Sequence, residues 1–145
     1  MTKRLQIASY CYAVSALLLA AFGLYYLFTP RFMPYHAVAI GASWEELSPA
    51  YQVLFLGLLK VAGAGLLGSG VAMGVMLLIP LRAGVSWARW SIPLVGLLVG
   101  SPTLYATLSV QFATPASAPW IAPALGLLLT VIGFLLTIGE KSDSV

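Results

Sequence analysis

Lys60 stands alone as a cation well inside a long apolar, glycine-laced segment. A lysine near the middle of a spanning helix costs roughly 2.5–3.5 kcal/mol, so it requires a partner, a wet cavity or a route to the surface. Its ammonium could attract an anionic or carbonyl-bearing molecule, or serve as a base or Schiff-base amine. Ser101, Tyr105 and Ser109 follow one another four apart and share a helix face around Pro102. Pro102 has no N–H to donate and clashes with the carbonyl of Leu98, so a kink with a freed carbonyl is expected there. At 1.5 Å per residue, Lys60 is ~16 Å from Pro49, and Ser101–Pro102 are ~16 Å from Phe112. Equal depths would bring those hydroxyls and the freed carbonyl around the ammonium as a ligand-binding site. The alternative is that Lys60 reaches outward along its own stem and only anchors the helix.

A second constellation lies in the polar stretch Thr29–Ser48, which carries His36, Glu45 and Glu46. These three could form a polar lid over one mouth of the helices. Their spacing matches no established metal-site signature, so no metal is expected. Ser43 and Glu46 have capping-box spacing, which predicts a short helical turn before Pro49. In the plainer reading Glu46 is a cap, Trp44 a membrane anchor and His36 a solvated loop residue. Cys11 is the single cysteine and His36 the single histidine. An intrachain disulfide, a CxxC redox pair and a bis-histidine haem are therefore excluded within one chain. No catalytic residue and no cofactor is expected, because the sequence gives Lys60 no second catalytic group.

The elements that must position these residues follow from composition. The chain has 145 residues, 61% hydrophobic and 8% charged, and a mean hydropathy of +0.98. Soluble domains carry about 25% charged residues, so a water-soluble globule is excluded. A helix needs about 20 apolar residues to cross ~30 Å of hydrocarbon. Four segments qualify, at about 5–28, 49–79, 87–112 and 120–138, bounded by Thr29–Pro30, Ser48–Pro49, Pro80, Pro119 and Gly139. The prediction is an all-α integral membrane four-helix bundle forming one domain over 1–145. Lys3 and Arg4 precede the first apolar run as a signal peptide's basic residues would. That run is longer than a signal's apolar core and lacks a small-residue cleavage site, so a retained span is expected.

Lys3, Arg4, Arg82 and Arg89 cluster at one side of the predicted spans, while Arg31 shares its connection with Glu45 and Glu46. The positive-inside rule then makes both termini cytoplasmic, N-in/C-in. The basic residues form no stripe, which argues against nucleic acid as a partner.

Gly57, Gly63, Gly65, Gly68, Gly70 and Gly74 make the second span rich in small residues, and these let helix backbones approach closely. Glycine spread around the helix predicts a central position, or a seam with a second copy or another membrane protein.

The layout resembles the DoxX-like group of small bacterial four-helix membrane proteins. The resemblance is carried by the four-span order, by the connection Pro30–Arg31–Phe32–Met33–Pro34–Tyr35–His36, and by Lys60 followed by glycines. It covers the chain in outline and transfers no functional residue. It implies a bacterial inner membrane and an accessory, loosely redox-associated role. Two functions are thus expected to compete. One is a non-catalytic accessory or assembly subunit, in which Lys60→Met would be tolerated. The other is a small-molecule binding protein or transporter using Lys60 near the Pro102 kink.

Overall fold

The computed structural model describes residues 2–138, and these form helices joined by turns, with no strand among them. Helix α1 spans Lys3–Phe28 and opens on Thr2, whose hydroxyl accepts a hydrogen bond from the Leu5 N–H at 3.2 Å. It ends because Thr29 precedes Pro30 and is held extended, at ψ 134°. Helix α2, Pro34–Ile40, starts on a proline and stops at Gly41, whose φ of 68° is the left-handed conformation that glycine adopts without strain. The sequence reading gave no helix here; the short turn it expected before Pro49, at Ser43–Glu46, is present. Those residues form a turn in which the Glu46 carboxylate accepts from the Ser43 N–H at 2.6 Å.

Helix α3, Pro49–Met76, begins with Pro49 in its first turn and continues through a π-helical turn, Leu77–Leu81. Pro80 does not stop the helix at residue 79. The wider turn accommodates a residue that lacks an N–H and would otherwise crowd the carbonyl one turn back. Helix α4, Ala88–Ala113, carries both Pro93 and Pro102 in its interior, and helix α5 covers Ile121–Thr137. The Gly139 stop signal lies outside the described residues. Helices α1, α3 with its π turn, and α4 are each long and apolar enough to cross a membrane; α5, with 17 residues, is shorter.

Packing revises the expected arrangement. The central helix is α1, which lies between α3 and α5; α4 packs chiefly on α5 and touches α3 lightly. The seam between α1 and α3 is backbone against backbone. A Cβ added to Gly63 would lie 2.6 Å from the Leu27 nitrogen, and one added to Gly70 2.7 Å from the Ala16 carbonyl oxygen. Gly23 of α1 abuts the backbone of Leu67 in the same way. Gly57, Gly65, Gly68 and Gly74 instead face open space. Of the two positions expected for α3, the central one is not found, because only two of its six glycines touch a neighbouring helix.

Two apolar clusters hold the bundle. At the end carrying the first turns of α1 and the α3–α4 turn, Ala8, Tyr12, Ala16, Met73, Leu77, Leu81, Ala88 and Ile92 form a buried core. At the opposite end, Phe32, Met33 and Leu59 are buried with Tyr26, Tyr35, Trp44 and Phe55 around them. Trp44 packs edge-on against Phe32, with ring centroids 5.0 Å apart. It is thus part of the second cluster. The α1–α3 connection is folded down onto the first turns of α3.

Candidate functional site

Helix α1 ends with carbonyls that have no intrahelical donor, and their partial negative charge attracts a cation. Lys60, half-buried on α3, meets them: its Nζ donates to the Leu27 carbonyl and, at 3.0 Å, to the Thr29 carbonyl. The ammonium does find freed carbonyls, but at the end of α1 instead of at Pro102. The antiparallel α1–α3 seam explains this. Gly63, three residues on from Lys60, lies against Leu27 and Gly23, which fixes Lys60 level with the last turn of α1.

Ser101, Tyr105 and Ser109 share a face, but that face is exposed, and Lys60 donates to Leu27 and Thr29 instead. Tyr105 is 75% accessible, and Ser109 donates to the Tyr105 carbonyl at 2.8 Å within its own helix. The reason is the docking of α4. Gly96 and Gly100 let Thr130 and Leu127 of α5 approach closely, which turns the neighbouring face carrying Ser101 outward.

The lid residues also separate. Glu45 makes an exposed ion pair with Arg31 at 3.6 Å, while Glu46 is bound to the Ser43 backbone, which lowers its pKa. His36 has different neighbours. Its ring stacks obliquely on Tyr35, centroids 4.0 Å apart, and its Nδ1 accepts from the Met33 N–H at 3.3 Å. Burial pushes the His36 pKa down, favouring the neutral ring. With Nδ1 an acceptor, the proton of that neutral ring resides on Nε2. No group of three metal-ligating side chains converges among the described residues.

The concavities lie elsewhere. A lateral groove of about 530 Å³ runs between α3 and α4, walled by Ala62, Gly65 and Ser69 on one side and Leu98, Pro102, Ala106 and Val110 on the other. Tyr26, Tyr35 and His36 close one end of it. A smaller, partly open pocket of about 60 Å³ lies behind, among α1, α4 and α5 with Leu66 of α3, and shares Tyr26, Leu66, Thr103 and Thr107 as its wall with the groove. The serine and threonine hydroxyls lining that pocket are spent on backbone: Ser15 and Thr130 both donate to the Gly126 carbonyl, Thr103 donates to the Val99 carbonyl and Thr107 to the Thr103 carbonyl.

Sequence reasoning missed the two tyrosines. The Tyr26 and Tyr35 hydroxyls share a hydrogen bond of 3.0 Å, and burial together with that bond pushes the Tyr35 pKa up, so the phenol stays protonated. A tyrosine at a helix end carries no signature separating an interfacial ring from a site residue. The proline at 102 was the usable signal, since it does line the groove. No family model, no curated protein and no solved structure matches this chain.

Proposed function

We propose that this chain is a non-catalytic, four-span membrane protein of DoxX-like outline, acting as an accessory or assembly subunit in a bacterial inner membrane. The observation that carries the reading is the engagement of Lys60. Its ammonium serves α1's terminal carbonyls, so the charge carried by α3 has a structural occupation. Helix lengths support the same view. Through its π turn α3 covers 33 residues, about 50 Å of helix, against ~30 Å of hydrocarbon. Its first turns therefore extend beyond the core, and Lys60, level with the end of α1, falls toward the interface. On this reading α5 is the fourth span, and both termini are cytoplasmic.

The partner surface is the exposed side of α3. Ala64 and Gly68 are exposed there, and Gly57 and Gly68 have nothing within 4 Å of an added Cβ. Small residues on an open helix face allow a second transmembrane helix to approach closely. The test is purification in native lipid followed by intact-complex mass spectrometry, with Gly68→Leu in parallel. A stoichiometric partner or second copy, lost in Gly68→Leu, is the expected result. A monomer in both samples would overturn the proposal.

A further inference from the structure

The groove between α3 and α4 has one polar end, and the hydrogen-bond inventory there does not close. Two phenols bring two protons, and their mutual bond uses one of them. The other hydroxyl proton has no acceptor among the described residues. The Nε2–H of neutral His36 has none either, since the ring's single hydrogen bond runs through Nδ1. Both donors sit on half-buried residues lining the end of the groove, where a bound acceptor can meet them. The remaining length of the groove is mostly apolar, since the hydroxyls of Ser69, Thr103 and Thr107 donate to carbonyls of their own helices. Along α4 it runs from Leu98 to Val110, about 18 Å at 1.5 Å per residue. Its volume of about 530 Å³ lies within the ordinary range for small-molecule sites.

The charges nearby narrow the choice. Arg31 is paired with Glu45, and Lys60 is bound to α1; neither lines the groove. An anionic headgroup would enter without a counter-charge, and a cationic one would meet donors. We infer that the groove binds an uncharged lipid whose head presents ester carbonyls, with its acyl chain against Ala62, Gly65 and Ala106 and a carbonyl oxygen accepting from the Tyr26–Tyr35 pair and His36. This rests on the membrane reading of α3 and α4, and it adds a ligand to the accessory role.

The full chain, reconstituted in phosphatidylcholine nanodiscs, is photolabelled with a diacylglycerol bearing a diazirine in one acyl chain. Phosphatidylglycerol and phosphatidylcholine with the same chain serve as comparison probes. Saturable diacylglycerol labelling of residues 62–69 and 98–110 is expected, competed by unlabelled diacylglycerol. Tyr26→Phe/Tyr35→Phe keeps both rings and removes the hydroxyls, and should weaken apparent binding about 3–10-fold, the effect of a lost neutral hydrogen bond. Ala106→Trp, which fills the groove from an exposed position, should abolish the saturable component. Equal, non-saturating labelling by all three probes would mean ordinary annular lipid and overturn the inference, as would preference for phosphatidylglycerol. An unchanged double phenylalanine variant would overturn the assignment of the head. Release of the protein from membranes by alkaline carbonate would instead defeat the membrane reading itself.

Discussion

A lysine on one helix and the last carbonyls of another form a contact whose two halves differ greatly in how they read from sequence. Lys60 is conspicuous because charge is rare in so apolar a chain. Its acceptors are main-chain oxygens of Leu27 and Thr29, and no residue type advertises a main-chain oxygen. The sequence therefore exposed the donor and concealed the acceptor, and it offered Ser101, Tyr105 and Ser109 because hydroxyls are visible as letters. The expected tolerance of Lys60→Met changes accordingly. Methionine keeps the stem but leaves two carbonyls without their donor, and hydrogen bonds to charged groups contribute about 1.5–3 kcal/mol. Lys60→Met is expected to lower stability by roughly 1–3 kcal/mol, read as an earlier unfolding midpoint in detergent. Lys60→Arg, which retains donors, should recover part of that loss. Equal midpoints for wild type and Lys60→Met would show that the clamp contributes nothing.

At the scale of the elements, the helix limits set by proline were legible and those set by packing were not. Thr29–Pro30 ends α1 and Pro49 opens α3, as local backbone sterics require. Pro80 looked like a third limit, yet the helix widens into a π turn and continues to Leu81. Helix α2 was overlooked because seven residues offer too little periodicity to detect. The six glycines of α3 correctly signalled close approach but not its direction. Gly63 has backbone atoms of α1 at 2.6 and 2.9 Å from an added Cβ, and backbone cannot swing aside. Gly74, on the same helix, has nothing within 4 Å. Gly63→Ala should therefore force α1 and α3 apart and destabilise by about 1–3 kcal/mol, as overpacking does. Gly74→Ala should be neutral or stabilising by up to ~1 kcal/mol through helix propensity. Unfolding midpoints of the two alanine variants in one detergent check the pair; identical shifts would mean that the seam is looser than its geometry implies.

For the whole molecule, the two ends of the bundle differ in charge in a way that follows from the fold. Lys3, Arg4, Arg82 and Arg89 meet at the end that carries the first residues of α1 and the α3–α4 turn, where α1 and α3 run antiparallel. The other end carries Arg31 neutralised by Glu45, together with Glu46. Short-loop lysine and arginine bias sets orientation during insertion, so the first end should remain cytoplasmic. Single cysteines test this in a Cys11→Ser background, at Glu45 in the α1–α3 connection and at Ser86 in the α3–α4 turn, both exposed. A membrane-impermeant maleimide applied to intact spheroplasts should label Glu45→Cys, and should label Ser86→Cys only after permeabilisation. The reverse pattern would invert the bundle and put the head of the lateral groove in the cytoplasmic leaflet. Labelling of both sites in intact cells would require an even number of crossings between them, which a single spanning α3 cannot provide. The outcome also bears on Lys60. With Glu45 outside, the Lys60 clamp at the end of α1 lies near the outer interface, on the same side as the Tyr26–Tyr35 pair. A ligand entering from the outer leaflet would then meet the groove's hydrogen-bond donors first and its apolar length second.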